Sequence, residues 1–381
     1  MFLGAALLMN VAALTNFLTD VLPPRPYDPP GIFDRPLKRY YDYIIVGAGS
    51  AGAVVASRLS EEPVSVLLLE AGASELDTEF TIVPGHYGRL FGTDADWQIK
   101  TVPQRYSHFA RIDKVSSFPR GKLLGGSSSL NGMVFVRGSR HDFDEWENEG
   151  CTGWSYKDVL PFFKKMEKMK IPQLQNSKFF HQQAACEIGF QTTDCNGYNQ
   201  IGFCPVQHTI DNGERCSSAS CYLRPVIRRN NLQVSINSHV SKILFRKRTA
   251  IGVEIIKFGR RTKIYARREV ILSAGTFGSP HILLLSGIGP RDHLQQLKLC
   301  WVRSGKSGGV TPSSEDVEIL QKYELSKSAF SFSPTEISLV FGFINGGIDV
   351  ERHLPITFLT RDQNAFGFLF DFSSKRPLAF K

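Results

Sequence analysis

The chain has 381 residues, which is too long for one compact core and suggests two domains or one large α/β domain with an insertion. Hydrophobic residues make up 42% and charged residues 21%, ordinary values that argue against a disordered, collagen-like or membrane-bundle chain. The formal net charge of +9 is densest at 246–248, 260–263 and 267–268. We interpret these runs as a solvated face rather than a surface that attracts anions. No nucleic-acid-binding module accompanies them, so we expect no nucleic-acid partner.

The N-terminal residues 1–22 are predicted to form a secretory signal peptide. Two short apolar runs, 2–9 and 11–18, are separated by Asn10, and this break argues against a stable membrane span. Residues 23–40 are rich in proline and are predicted to form a surface linker. The leader lacks a basic start, and the sequence has no Asn-x-Ser/Thr glycosylation acceptor. We nevertheless expect a secreted protein, because the leader has the apolar core of a signal peptide.

A strand–helix–strand unit follows the linker. Residues 41–46 form a β-branched run, a periodic Ala/Val/Leu pattern to about residue 60 predicts a helix, and residues 64–69 form a continuous apolar run. Continuous apolar runs are typical of strands that are buried on both faces of a parallel sheet. Units of this kind are the building blocks of nucleotide-binding sheets.

A glycine loop joins the first strand to the helix and reads Gly47-Ala48-Gly49-Ser50-Ala51-Gly52. Gly47 permits a tight turn, Gly49 lets the backbone approach a pyrophosphate, and Gly52 lets the helix pack closely on the strand. The N–H groups and the positive dipole end of the helix then favour phosphate binding. Glu70 ends the second strand, where a carboxylate accepts ribose hydroxyls and repels a 2′-phosphate, so NADP is disfavoured. The loop alone does not distinguish FAD from NAD.

Further along the chain, a helix is predicted at 156–169, within a polar segment of low regularity. Four later segments alternate like the strands of an antiparallel meander: 232–236, 242–245, 252–257 and 263–265. Residues 269–272 again have the pattern of a buried strand. Beyond residue 300 the sequence becomes rich in serine and glycine and has little periodicity.

Seven cysteines stand at positions 151, 186, 195, 204, 216, 221 and 300. They form no Cys-x-x-Cys pair and no His/Cys spacing typical of a metal site, so we expect no bound metal. Five of the seven lie between residues 186 and 221, where one or two disulfides are plausible in an exported protein. Free buried thiols are an equally open interpretation.

Two longer glycine-bearing motifs occur at 120–134 and 275–290. The first reads R-G-K-L-L-G-G-S-S-S-L-N-G-M-V, with Gly125 and Gly126 followed by three serines. Such a run is unfavourable inside a helix and suits a backbone loop that lies against a flat ring or a phosphate. A flexible Gly/Ser linker is disfavoured because apolar residues flank the run on both sides. The second motif reads G-T-F-G-S-P-H-I-L-L-L-S-G-I-G-P and follows Ile271-Leu272-Ser273-Ala274.

With these two motifs and the glycine loop in order over roughly residues 40–299, the sequence resembles the glucose–methanol–choline oxidoreductase family, and within it the insect glucose dehydrogenase-like members. The resemblance implies an α/β fold: a Rossmann-like FAD-binding domain, with a parallel sheet and a β-meander, formed by 41–150 and 210–299. It also implies an incomplete α+β substrate-binding domain formed by 151–209 and 300–381.

The same resemblance implies which residues bind FAD. Those of the glycine loop and the second strand would hold the pyrophosphate and the adenosine ribose, those of the first motif would lie along the flavin, and the remainder would meet the adenine or close the pocket. The set is Gly47, Gly49, Ser50, Gly52, Glu70, Gly125, Gly126, Ser127, Asn131, Val134, Val240, Ser273 and Gly275. Some members attach the flavin through a histidine in the first motif, but Leu130 precedes Asn131 here, so we expect non-covalent FAD.

The resemblance stops before the family's catalytic residues. Members oxidise the CH–OH group of an alcohol or sugar by hydride transfer to flavin N5, and a histidine in an H-x-x-G-T pattern takes the hydroxyl proton. No such pattern occurs in this sequence, and we interpret His281 and His353 as structural. We therefore assign no catalytic residue and expect an oxidoreductase that is truncated and catalytically incomplete, with an unidentified electron acceptor. The alternatives are a non-catalytic flavin-binding remnant or interaction protein and, less favoured, a lyase with structural FAD.

Overall fold

A computed structural model describes residues 27–168, 186–187, 189, 191–204, 206–247, 249–297, 299, 356–357 and 369–370. The predicted signal peptide 1–22, His353 and nearly all of 300–381 lie outside these described residues. The division into a FAD-binding domain and a substrate-binding domain therefore stays a prediction.

The described residues form strands, α-helices and short helical turns. The strands are β1 (Tyr40–Val46), β2 (Val66–Leu69), β3 (Ile99–Lys100), β4 (Ser117–Phe118), β5 (Val134–Phe135), β6 (Gln207–His208), β7 (Ile210–Asp211), β8 (Glu214–Arg215), β9 (Leu232–Ser235), β10 (His239–Arg246), β11 (Thr249–Lys257), β12 (Arg260–Leu272), β13 (Ile356–Thr357) and β14 (Leu369–Phe370). The α-helices are α1 (Ser50–Leu59), α2 (Arg140–Asn148), α3 (Tyr156–Met166), α4 (Gly275–Leu285) and α5 (Arg291–Gln296). Short 3₁₀ turns occupy Glu75–Asp77, Glu79–Thr81, Pro84–Leu90, Ile112–Lys114 and Gly126–Ser129, and a π-helical turn occupies Ala219–Leu223.

One six-stranded sheet organises the fold, with the strand order β10-β11-β12-β1-β2-β9. The strands β12, β1, β2 and β9 are parallel, and β10, β11 and β12 form an antiparallel meander. The parallel strands end in register, because Val46 pairs with both Leu69 and Leu272, and Leu69 pairs with Ser235. Their carboxyl ends therefore form one continuous edge.

The expected parallel sheet and meander are both present, but three predicted elements need correction. Segments 263–265 and 269–272 belong to one strand, β12, which pairs with β1 on both sides of a register shift at the exposed Arg267 and Arg268. Segment 232–236 is not part of the meander, since β9 pairs in parallel with β2 at the opposite edge of the sheet. The predicted helix 156–169 ends at Met166.

Both faces of the parallel strands are buried, which explains their continuous apolar sequences. On one face, Ile45 and Leu68 pack with Ala53 of α1. On the other face, Ile44 and Leu67 pack in a second cluster, which includes Ile282 of α4 and the apolar residues of the meander. Successive residues of one strand thus enter different clusters, because side chains alternate across a sheet.

The basic runs lie on the surface. Arg246, Arg260, Lys263 and Arg267 are all exposed. In the part of the chain that the structure describes, no helix is both long and apolar enough to span a membrane.

Four of the clustered cysteines form disulfides. Cys195 pairs with Cys204, and Cys216 pairs with Cys221, with Cα–Cα distances of 5.8 Å and 6.0 Å. Cys151 is half-buried and Cys186 is exposed, and both are free thiols. Burial raises the pKa of the Cys151 thiol, and the nearby Glu149 and Glu147 carboxylates add to this effect. Of the two interpretations left open by the sequence, the structure favours the disulfides.

Alkylation without reductant tests this pairing. We expect Cys186 to react readily and Cys151 to react more slowly, because the thiolate is the nucleophile and its formation is suppressed at Cys151. The four paired cysteines should be labelled only after reduction. Mass spectrometry of peptides from the folded, labelled protein measures each site. Labelling of Cys195 or Cys216 before reduction would contradict the pairing.

Candidate cofactor-binding site

Three of the predicted cofactor residues lie at the carboxyl edge of the parallel strands. Gly47 follows β1, Glu70 follows β2, and Ser273 follows β12. Ligands of open α/β sheets bind at this edge, outside the carboxyl ends of the strands. The register of the sheet therefore brings together loops that are more than 200 residues apart in sequence. One hydrogen bond between them runs from the N–H of Ser273 to the carbonyl of Val46, at 2.8 Å.

The glycine loop has the conformation that its sequence predicts. Gly47 has a φ of +94°, and a Cβ there would lie 2.5 Å from the carbonyl oxygen of Ser273. A Cβ on Gly52 would lie 1.9 Å from the carbonyl oxygen of Gly47. Only glycine fits at either position, because both contacts are with backbone rather than with a side chain that could move.

The first turn of α1 has the features of an anion-binding site. Gly49 is the N-cap residue, so no side chain caps the helix, and the first turn carries no acidic residue. The helix begins at Ser50 and offers its N-terminal N–H groups and the positive end of its dipole. A pyrophosphate fits this environment.

Glu70 is a buried carboxylate that is 5% exposed. Its Oε2 accepts from the N–H of Ala48 at 2.9 Å, and its Oε1 accepts from the N–H of Gly72 at 3.0 Å. Burial raises the pKa of Glu70, and the backbone N–H groups counteract this in part. Each oxygen has a further lone pair, so the carboxylate can tie down the glycine loop and still accept from a ribose hydroxyl.

Ser273 supplies a polar group without a protein partner. Its Oγ is buried and has no hydrogen-bond partner among the described residues. It lies in the turn whose backbone contacts Gly47. Buried hydroxyls are usually hydrogen-bonded, so this one fits a polar group of a bound ligand. The unpartnered hydroxyl of Ser273 therefore fits a bound dinucleotide, and this observation is independent of the glycine pattern.

The first motif lies directly against the glycine loop. Gly125 donates its N–H to the carbonyl of Ala48 at 2.8 Å. A Cβ on Gly126 would lie 2.8 Å from the Cα of Gly49. Gly125 and Gly126 have φ values of +83° and +53°, which a side chain would disfavour. Two of the three predicted glycine turns are therefore in backbone contact.

The three serines of this motif hold the loop in place. Ser127 Oγ accepts from the N–H of Gly121 at 3.2 Å, and Ser129 Oγ donates to the carbonyl of Leu124 at 2.8 Å. Ser128 Oγ donates to the carbonyl of Gly125 at 2.6 Å. Their hydroxyls stabilise the loop, and this leaves the backbone as the surface available to a flavin.

Asn131 has a side chain of fixed orientation. Its Oδ1 accepts from the N–H of Met133 at 3.0 Å and from Arg215 Nη1 at 2.9 Å. Val134 lies in β5, which pairs with β6 in a separate small sheet. The structure thus connects Asn131 to the loop through Ser127, whose carbonyl accepts its N–H at 2.8 Å, whereas Val134 lies in a neighbouring element.

Val240 reaches the site through the turn that follows β9. Ser238 donates its N–H to the carbonyl of Glu70 at 2.8 Å, and Asn237 donates to the carbonyl of Gly72 at 2.8 Å. This turn brings the start of β10, where Val240 is buried, beside the end of β2. Gly275 has a φ of +81° and opens α4, with open space at the position of a Cβ.

Sequence reasoning missed three residues that shape the site. Gly72 is required by packing, since a Cβ there would lie 1.8 Å from the carbonyl of Lys122. Ser218 donates its N–H to Ser128 Oγ at 2.9 Å. Arg215 contacts the loop at Asn131. Gly72 could have been identified from the sequence, because it is a glycine two positions after Glu70. Arg215 and Ser218 lie in no motif.

The sequence is similar to those of known proteins. Residues 41–310 match the model of the family described as GMC oxidoreductase. Glucose dehydrogenase [FAD, quinone] of Drosophila melanogaster is 43% identical over 283 residues, which cover 68% of this chain and 45% of the relative. Mitochondrial choline dehydrogenase of Mus musculus is 38% identical over 288 residues, which cover 69% and 48%. The chain spans about half the length of the curated relatives it matches.

The fold is also similar to those of solved structures. Pyridoxine 4-oxidase from Mesorbium loti superposes with a TM-score of 0.63 at 29% identity, covering 68% of this chain and 54% of the other. An FAD-dependent oxidoreductase from Chaetomium thermophilum has a TM-score of 0.62 at 27% identity, covering 76% and 59%.

Replacement of one crowded glycine tests the geometry of the loop. We expect Gly52→Ala to lower stability by about 1–3 kcal/mol, because the new methyl group must displace the Gly47 carbonyl. Gly88→Ala is the matched control, since nothing lies within 4 Å of a Cβ there. Thermal unfolding of both variants measures the difference. Equal melting temperatures for the two variants would show that the loop is not packed as described.

Proposed function

Because the chain belongs to the GMC oxidoreductase family, we propose that it binds FAD and acts in the oxidation of the CH–OH group of an alcohol or sugar. When bound, FAD supplies a hydride acceptor at N5. The observation that carries the proposal is the contact between the glycine loop and the first motif, because it aligns two glycine turns into one backbone surface. The names of the glucose and choline dehydrogenase relatives support this substrate class.

The residues of this chain would each do one physical task for the cofactor. The uncapped N-terminus of α1 at Gly49 and Ser50 would hold the pyrophosphate. Glu70 would accept from the adenosine ribose, and the backbone at Val240 would meet the adenine. Gly125 and Gly126 would lie along the flavin, and Ser273 and Gly275 would close the pocket.

We further propose that FAD is held without a covalent bond. Leu130 stands where some family members carry the histidine that attaches the flavin, and its apolar side chain is 3% exposed. A buried leucine has no nucleophilic atom to offer. The close backbone contacts around Gly125 and Gly126 favour binding by shape and hydrogen bonds.

A second candidate function is flavin binding without turnover. It is favoured by one observation, which is that the sequence contains no H-x-x-G-T pattern. Alcohol oxidation needs a base of near-neutral pKa within hydrogen-bond reach of the hydroxyl. Glu70 is the one carboxylate among the residues assigned here to the cofactor, and it would be occupied by the adenosine ribose and two backbone N–H groups.

Export from the cell is part of the proposal. It is supported by the apolar leader at 1–22 and by the disulfides Cys195–Cys204 and Cys216–Cys221, which persist in oxidising compartments. Expression in a secreting host tests it: the protein should be recovered from the medium. Retention of all of it inside the cells would contradict export.

Reconstitution of the purified chain with FAD distinguishes the two functions. We expect a yellow protein that dithionite bleaches. Anaerobic addition of glucose or choline with a dye acceptor should produce little bleaching, because no histidine base is available from an H-x-x-G-T pattern. Bleaching at catalytic rates would exclude the non-catalytic alternative and would require a base elsewhere in the chain. A folded but colourless protein would contradict both functions.

Glu70→Gln tests the role of the carboxylate. Hydrogen bonds to a charged group contribute about 1.5–3 kcal/mol, so we expect the Kd for FAD to rise about 10- to 100-fold. Glu254→Gln is the matched control, because Glu254 is also a buried carboxylate but bonds Ser241 and Arg261 within the meander. Fluorescence titration of FAD measures both. An equal change in Kd for the two variants would remove Glu70 from the site.

A further inference from the structure

The turn at residues 217–223 lies between helix α1 and the first motif. Its residues Ala219 and Leu223 are fully buried, in a cluster that also contains Ala53 of α1 and Leu124 of the first motif. One short piece of chain thus packs against both elements that form the cofactor site. Protein interiors are close-packed, so a shift of this turn moves its neighbours as well.

Ser218 bonds this turn directly to the first motif. Its N–H donates to Ser128 Oγ at 2.9 Å, and the two hydroxyl oxygens lie 2.9 Å apart. Ser128 Oγ in turn donates to the carbonyl of Gly125 at 2.6 Å. Ser218 is 3% exposed, so water has little access to these bonds. The turn therefore reaches Gly125, the residue whose N–H bonds the glycine loop, through a chain of two serines.

The Cys216–Cys221 disulfide closes the segment that carries Ser218. The two cysteines are 5 residues apart in sequence, and their Cα atoms are 6.0 Å apart. Cys216 is also anchored outside the turn, because its N–H donates to the carbonyl of Thr209 at 2.9 Å. A covalent link across so few residues restricts the conformations that the segment between them can adopt. The disulfide therefore limits the positions available to Ser218.

One end of this disulfide faces solvent. Cys221 is exposed, whereas Cys216 is half-buried. The backbone that follows is a π-helical turn, in which the N–H of Arg224 donates to the carbonyl of Ala219 at 2.9 Å. π-Helical turns are rare and are found mostly at functional sites. An exposed sulfur at such a turn is open to reductants, because disulfide exchange requires access to the sulfur.

We propose that the Cys216–Cys221 disulfide is a positioning link for the cofactor site, which acts through Ser218 and Ser128 on the turn at Gly125. With the link intact, the turn holds the first motif in the shape that binds FAD. Its reduction weakens FAD binding while the chain stays folded. The inference rests on the proposed function, because it requires that FAD lies along this turn.

A water-soluble trialkylphosphine is the reductant that opens the link in the test. Its phosphorus attacks the exposed Cys221 sulfur, the S–S bond breaks, and the Cys216 sulfur leaves as a thiolate that takes up a proton. Water then attacks phosphorus and releases the Cys221 thiol. The disulfide gains two electrons and becomes two thiols, and the phosphine loses the same two electrons and becomes its oxide.

The first experiment is a double-mutant cycle on FAD affinity in the full chain. The variant Cys216→Ser/Cys221→Ser removes the link, Ser128→Ala removes the contact through which it acts, and the triple variant combines them. Cys195→Ser/Cys204→Ser is the matched control, because it removes a disulfide with a similar Cα–Cα distance, 5.8 Å, outside the turn. Fluorescence titration measures the Kd for FAD, and thermal unfolding of each variant measures its stability.

We expect Cys216→Ser/Cys221→Ser to raise the Kd for FAD about tenfold when Ser128 is present and less than about threefold when it is alanine. The control pair should change the Kd less than about threefold. Equal effects in both backgrounds would mean that the disulfide supports the fold without acting through Ser128, and this would overturn the inference.

Reduction and reoxidation of the unsubstituted chain provide the second measurement, which needs no variant of the turn to fold. We expect the phosphine to raise the Kd for FAD about tenfold and reoxidation to restore it. Cys195→Ser/Cys204→Ser should respond in the same way, and Cys216→Ser/Cys221→Ser should not respond. If the unsubstituted chain binds FAD equally well before and after reduction, the inference fails while the proposed function stands. If the oxidised chain does not bind FAD, both fail.

Discussion

The contact between two glycine turns is the constraint on which the site depends. The carbonyl of Ala48 accepts from the N–H of Gly125, and Gly126 approaches Gly49 so closely that a Cβ would lie 2.8 Å from its Cα. Backbone atoms at this separation leave no room for side chains. The two loops can therefore present N–H groups and flat peptide surface to one ligand. Any residue larger than glycine would be too bulky at these positions.

The rest of the site keeps these two turns in place. Glu70 bonds the N–H of Ala48, and Ser127, Ser128 and Ser129 use their hydroxyls within the first motif. A loop held in this way loses less conformational entropy when a ligand binds than a loop that is ordered by the ligand itself. Glycine-rich and serine-rich sequence, which is typical of flexible linkers, here forms a surface held by hydrogen bonds.

Membership of the GMC oxidoreductase family gives a chemical context to this surface. The matched residues 41–310 contain the parallel sheet and its meander, and the curated relatives are about twice as long as the part that matches. Binding of the cofactor and deprotonation of the substrate are separate physical tasks. The first depends on backbone geometry, and the second depends on a base of suitable pKa.

The sequence by itself determined the strand–helix–strand unit, the need for glycine at positions 47 and 52 and the family, because these depend on local spacing and on residue type. Only the tertiary structure decided that β9 leaves the meander, that 263–265 and 269–272 form one strand, and that Arg215 reaches Asn131. Alternation of apolar residues reports burial, and it does not report which strand is the neighbour. Contacts such as that of Arg215 join segments with no common motif, so only the folded chain reveals them.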